Sequence, residues 1–186
     1  IGGFLLECRI NVEKNSTFKI ASVSIMSALA VVSGYALSVI PNVELMSFII
    51  FISGFLMGVW EGVVVALVST LIYTIWNPWG PPILPISLAQ IMCEVVIGFS
   101  GGIYGRRKSE KKESTLVIET AILGAVLTLF YDIITNVAFA IAFGLVNEMI
   151  YVLLMGIWYS AFHIFTNAMI FGTLTLPVYK AFKNMR

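Results

Sequence analysis

Residues 46–82 read MSFIIFISGFLMGVWEGVVVALVSTLIYTIWNPWGPP, a stretch in which Glu61 is the single charged side chain. Its apolar residues fall on every helical face, so it shows neither the one-sided stripe of a soluble surface helix nor the strict alternation of a half-buried strand. Two breaks divide it. Trp60-Glu61 reads as a tight interfacial turn, and Asn77-Pro78-Trp79-Gly80-Pro81-Pro82 cannot continue a helix, because proline lacks the amide donor and disfavours helix in the residue before it. The pieces, about 43–59 and 61–76, approach the roughly 20 residues that cross a bilayer core.

The same pattern extends in both directions. A first apolar segment covers about 19–40 and ends at Pro41-Asn42. A fourth covers about 84–104 and stops at the charged run Arg106-Arg107-Lys108-Ser109-Glu110-Lys111-Lys112-Glu113, which cannot lie in hydrocarbon. A fifth covers about 116–143 and a sixth about 149–176, with Pro177 beside its end. Over 186 residues the chain is 59% hydrophobic and only 11% charged, against about a quarter charged in soluble domains. The expected fold is an all-α integral membrane protein, one domain forming a bundle of six transmembrane helices. Residues 1–18 precede the bundle and read as a short interfacial helix or an appended remnant.

All 11 Lys and Arg residues fall before or at the start of the first segment, between the fourth and fifth, and after the sixth. The intervening connections at 41–43, 77–83 and 144–148 carry none. By the positive-inside rule both termini are expected in the cytoplasm, with the chain multi-pass in the cell membrane. The basic residues form no stripe with interleaved aromatics, so no nucleic-acid partner is expected.

Ionisable groups inside apolar segments are costly and face cavities or one another. Glu94 follows Gln90 by four residues; Asp132 precedes Asn136 by four; His163 is flanked at that spacing by Tyr159 and Asn167. Each helix therefore presents one polar stripe, which can tie helices together or bind a ligand. Counting down from the outer ends at 1.5 Å per residue puts Glu94 at roughly 15 Å, with Asp132 and Tyr159 at a similar depth and Asn136 higher. This predicts an outward-opening cavity between the fourth, fifth and sixth segments, lined by Glu94, Asp132, Asn136 and Tyr159. Trp79 serves as lid, Asn42, Asn77 and Gln90 sit nearby, and His163 lies toward the floor. Gly54, Gly58 and Gly62, like Gly98 with Gly102 and Gly101 with Gly105, have the small-residue spacing that lets helix backbones approach, and read as packing.

Several chemistries lack their residues. There is no phosphate loop ending in Gly-Lys-Ser/Thr, no His-Glu-x-x-His and no Gly-x-Ser-x-Gly elbow. Two cysteines, Cys8 and Cys93, support neither a disulfide framework nor a zinc site. No enzyme activity, cofactor or metal is expected.

The six apolar segments, Pro41-Asn42-Val43-Glu44-Leu45, the Gly54, Gly58, Gly62 row and Asn77-Pro78-Trp79-Gly80 together resemble the substrate-binding S component of an energy-coupling factor (ECF) transporter. The resemblance implies a high-affinity micronutrient-binding subunit, for a vitamin or a related compound. It would capture its cargo outside and deliver it through a membrane T component and two cytoplasmic ATPases. It also implies a docking motif, Ala-x-x-x-Ala, on the first helix; here the nearest spacings are Ser24 with Ala28 and Ala30 with Gly34. Acidic groups at Glu44, Glu94, Asp132 and Glu148, with no Lys or Arg on that side, favour a cationic or amide-rich ligand, thiamine-like or cobalamin-like, over an anion. The alternative is a free-standing secondary carrier or proton-coupled channel using Asp132 and His163 as a relay.

Overall fold

A computed structural model describes residues 2–106 and 112–184, with side chains described over 16–106 and 112–182. It contains α1 (Gly2–Leu37), α2 (Met46–Met57), α3 (Val59–Ile75), α4 (Leu84–Arg106), α5 (Glu113–Ala142) and α6 (Met149–Asn184), with no strand among the described residues. The breaks fall where proline or charge interrupts the apolar sequence: Pro41, the 77–82 loop and the run before Glu113. Most of that run, 107–111, lies outside the described residues, as do Ile1 and the side chains up to residue 15. The helix itself runs unbroken from Gly2, so the described residues 2–18 are not an element separate from α1.

Four helical stretches, 16–37, 84–106, 113–142 and 149–182, are long and apolar enough to cross a membrane. The second segment departs from expectation. At 12 residues, α2 is about 18 Å long, well short of a hydrocarbon core of about 30 Å. Every residue from Met46 to Phe55 is buried, so α2 is a central helix wrapped by α1, α3, α4 and α6 rather than a lipid-facing span. A helix shielded by protein on all sides need not match the bilayer thickness.

The turn after α2 is also shifted. Gly58, with φ +132° and ψ 172°, ends α2 and starts α3, a backbone conformation reached readily only without a Cβ. Trp60 and Glu61 belong to the first turn of α3.

The glycine rows pack backbone on backbone. A Cβ on Gly62 would lie 2.6 Å from the Gly54 Cα and from the Gly98 carbonyl oxygen, and one on Gly98 would strike the Gly62 carbonyl. Gly101 and Gly105 meet the carbonyls of Phe51 and Phe55 in the same way. The three helices α2, α3 and α4 thus approach more closely than any side chain allows, gaining dispersion contacts that the hydrophobic effect does not supply in lipid. Beside this seam, Phe48, Phe51, Phe55, Tyr104, Phe171 and Tyr179 form an aromatic cluster that joins the inner half of α6 to α2.

The two ends of the bundle differ in charge. Lys19 pairs with Glu61 at 3.0 Å and Lys180 with Glu113 at 2.8 Å at one end, where Arg106 and Lys112 also lie at their helix termini. The opposite end holds no described Lys or Arg. There the Tyr35 hydroxyl donates to the Trp76 carbonyl at 2.5 Å, and the 38–45 loop meets α6.

Candidate functional site

The 38–45 loop is a sequence of tight turns, with Ile40 N–H donating to the Leu37 carbonyl at 2.9 Å. At its apex Asn42 takes φ +59°, a left-handed conformation that asparagine tolerates better than most residues. Its side-chain amide donates to the Tyr159 carbonyl at 3.2 Å, and its own carbonyl accepts from Thr166 Oγ1 at 2.8 Å. The loop is therefore strapped across α6 between those two positions, which turns Glu44 into the bundle.

Beneath the strap lies a cavity of about 390 Å³. Its polar lining comes from Asn42 and Glu44 of the loop, Asn77, Gln90 of α4, Asp132 of α5 and His163 of α6, and its aromatic lining from Tyr73, Trp79 and Tyr131. No Lys or Arg lines it. His163 Nδ1 and Asp132 Oδ1 are 2.8 Å apart, and His163 Nε2 makes an ion-pair contact with Glu44 Oε1 at 3.4 Å. An ionised Asp132 fixes the Nδ1–H tautomer, and a second proton on Nε2 would face Glu44. Burial alone would raise the Glu44 carboxyl, but its contact with His163, the charge of that residue and the Ser47 hydroxyl outweigh burial and hold it below the ordinary carboxylate range. Asp132 Oδ2 is buried with no hydrogen-bond partner among the described residues, an acceptor free to take a ligand donor.

Of the residues the sequence singles out for binding, Asn42, Asn77, Trp79, Gln90, Asp132 and His163 come together around this cavity. Glu94 does not reach the lining. It sits one layer behind, 3% exposed, with Oε1 2.6 Å from Ser47 Oγ.

Asn136 and Tyr159 are elsewhere. They line a separate groove between the C-terminal end of α5 and the N-terminal end of α6, with Glu148, Tyr151 and Met155, and Tyr159 is 67% exposed. The strap explains this: it crosses α6 at the Tyr159 carbonyl, so side chains toward the outer end of that helix lie above it. The cavity is accordingly bounded by the loop, α1 and α3 as well as by α4, α5 and α6, rather than by the last three alone.

Glu44, Ser47, Tyr73 and Tyr131 are site residues that the helical stripes do not reveal. The sequence already marks Glu44 as an acidic group on this side; Ser47, three residues after it at the entry to α2, carries the clearest missed signal.

On α1 the two small-residue pairs separate. Ser24 and Ala28 are exposed. Ala30 is 0% exposed, and a Cβ on Gly34 would lie 3.0 Å from the Tyr73 ring. Ala30 and Gly34 therefore pack inside the bundle and cannot form an external docking groove.

A family model described as "ECF transporter, substrate-specific component" matches residues 18–181. No curated protein and no solved structure matches the chain.

Proposed function

Because the chain belongs to the substrate-specific components of ECF transporters, membrane subunits that bind a small molecule and work with a T component and ATPases, we propose that it captures a small organic cation of the micronutrient class at the outer membrane surface. The observation that carries this reading is the pairing of Glu44 and Asp132 carboxylates in a cavity without Lys or Arg. In a low-dielectric site an anion meets repulsion there, whereas a cation gains the excess of negative charge left by the His163 contacts and the faces of Tyr73, Trp79 and Tyr131. Volume narrows the class. At about 390 Å³ the cavity lies at the lower end of the ~300–1,000 Å³ of small-ligand pockets. That suits a one- or two-ring thiamine-like cation and is too small to enclose a corrinoid.

The test is native mass spectrometry of the purified chain with thiamine and with cobalamin. Retention of the cation supports the reading, and retention of the corrinoid alone overturns it. The Asp132–His163 pair does not call for a proton-driven carrier, since a subunit of this family draws its work from its ATPases.

The charge asymmetry of the bundle supports an orientation with both termini in the cytoplasm. With the Lys19, Arg106 and Lys180 end in the cytoplasm, a cysteine at Ser109 in a chain lacking Cys8 and Cys93 should react with an impermeant thiol reagent only after the membrane is opened. One at Asn147 should react in intact cells; the reverse pattern would invert the topology.

Docking on the T component is assigned to the exposed Ser24 and Ala28 face of α1. Ala28→Trp should abolish co-purification with the T component and leave cation binding unchanged. Gly34→Trp should instead lose the folded chain, because its side chain enters the Tyr73 contact. Unchanged co-purification for both Ser24→Trp and Ala28→Trp would place the interface on another face.

A further inference from the structure

Hydrogen-bond counting around Ser47 yields a property of the site that its lining does not show. Ser47 Oγ lies 2.6 Å from Glu94 Oε1 and 2.7 Å from Glu44 Oε1. A hydroxyl carries one proton and donates to one acceptor. Were both carboxyls ionised, one of these short oxygen pairs would be a lone-pair contact between an acceptor and an acceptor. One carboxyl must therefore supply a proton.

The surroundings decide which one. Glu44 keeps 30% of its side-chain surface exposed and has His163 Nε2 at 3.4 Å. Glu94 is 3% exposed and shows no ion-pair partner, and its second oxygen, Oε2, is buried without a hydrogen-bond partner among the described residues. An ionised carboxylate there would be buried, unpaired and next to another negative charge, whereas a neutral acid leaves only a carbonyl oxygen unsatisfied.

We infer that Glu94 is a protonated carboxylic acid that donates through Ser47 to Glu44, making it a positioning residue that sets the charge of the binding site. The chain of donors then runs from the Glu94 O–H to Ser47 Oγ and from the Ser47 O–H to Glu44. His163 stands between the two other carboxyls, with Nδ1 2.8 Å from Asp132 Oδ1 and Nε2 3.4 Å from Glu44 Oε1. With a proton on each ring nitrogen, the four ionisable residues from α4, the 38–45 loop, α5 and α6 would carry one net negative charge, which matches a ligand bearing a single positive charge. That last step rests on the cation reading above; the proton on Glu94 does not. The other titratable groups around this relay are Cys93 on the same helix as Glu94, Tyr131 on α5 and Tyr73 on α3, all neutral in their ordinary protonated forms.

Infrared difference spectroscopy of the full chain in lipid nanodiscs, without ligand at neutral pH, tests the proton directly. The parent-minus-Glu94→Gln spectrum should contain the carbonyl stretch of a protonated carboxyl, shifted by deuterium exchange. The parent-minus-Glu44→Gln spectrum should contain carboxylate bands alone. Carboxylate bands alone for Glu94, or a protonated-carboxyl band for Glu44, overturns the inference. Should Glu94→Gln fail to fold, the parent labelled with carbon-13 glutamate must still show an isotope-shifted protonated-carboxyl band, and its absence is equally decisive.

With thiamine as probe, Glu94→Gln should hold affinity within about threefold, because an amide also donates to Ser47, whereas Glu44→Gln should lose about 30-fold or more. Equal losses for the two variants would overturn the charge assignment. Failure of thiamine to bind the parent would remove the cation reading and leave the spectroscopic result standing.

Discussion

Gly98→Val is expected to eliminate the folded protein, with no monodisperse fraction recovered in mild detergent. The added Cβ would strike the Gly62 carbonyl and lie 3.2 Å from Ile50 Cγ2. Overpacking a flexible core site costs about 1–3 kcal/mol because side chains yield. Here the obstacle is the backbone of α3, which can move only if the seam with α2 and α4 opens, so the cost exceeds the ~4–5 kcal/mol that marks an exceptional substitution. Gly62→Val should behave alike, since its Cβ would lie 2.6 Å from both the Gly54 Cα and the Gly98 carbonyl oxygen. Gly156→Ala is the matched control. The atoms nearest its Cβ belong to the Asn136 side chain, the first at 3.4 Å, and its thermal unfolding midpoint in detergent should stay close to that of the parent. A folded, ligand-binding Gly98→Val protein would show that the three-helix seam is looser than the backbone contacts imply.

Asp132→Asn should weaken binding of a thiamine-like cation by about 30-fold to several thousand-fold, the range for removing one member of a buried charge pair, ~2–5 kcal/mol. The substitution keeps the shape of the side chain. It removes the charge that meets the ligand and leaves His163 Nδ1, 2.8 Å from Oδ1, facing a neutral amide oxygen in place of a carboxylate. Part of the loss is indirect, because the amide no longer favours a positive charge on the imidazole that faces Glu44. Asn136→Ala and Tyr159→Phe, whose side chains lie in the outer groove between α5 and α6, should change affinity by no more than a few-fold. Isothermal titration calorimetry on the solitary chain separates the two groups. Equal losses across all three variants would mean that the ligand occupies the outer groove, and no loss for Asp132→Asn would leave the Asp132–His163 pair with a purely structural role.

Most helix limits were legible because prolines and charge mark them chemically, but α6 runs on through Pro177 to Asn184 instead of ending near residue 176, and the break between α2 and α3 falls at Gly58 instead of at Trp60-Glu61. Pro41, the 77–82 loop and the charged run before Glu113 each remove something a membrane helix requires. The polar stripes were legible too, since Asp132 and His163 stand out against apolar neighbours, and they do meet across α5 and α6.

Two matters were not legible. An apolar helix reads the same whether lipid or protein surrounds it, so the enclosure of α2 left no trace beyond its shortness. Helix rotation was equally hidden: depth counting places Glu94, Asp132 and Tyr159 near one level with Asn136 higher, yet it cannot reveal that a loop fastened at Asn42 divides the cavity from the groove that Asn136 and Tyr159 line. The two pairs on α1 make the same point. Ser24 with Ala28 and Ala30 with Gly34 share the same small-residue spacing, and only the position of Tyr73 shows that the second pair faces inward.

The brevity of α2 has a consequence for how the chain is made. A segment about 18 Å long cannot anchor across the bilayer by itself as it leaves the ribosome, because its ends would drag unpaired backbone groups toward hydrocarbon. The Gly58 hinge joins it directly to α3. The two are therefore expected to enter the membrane as one helical hairpin, with the central helix of the bundle enclosed only when α4 and α6 arrive.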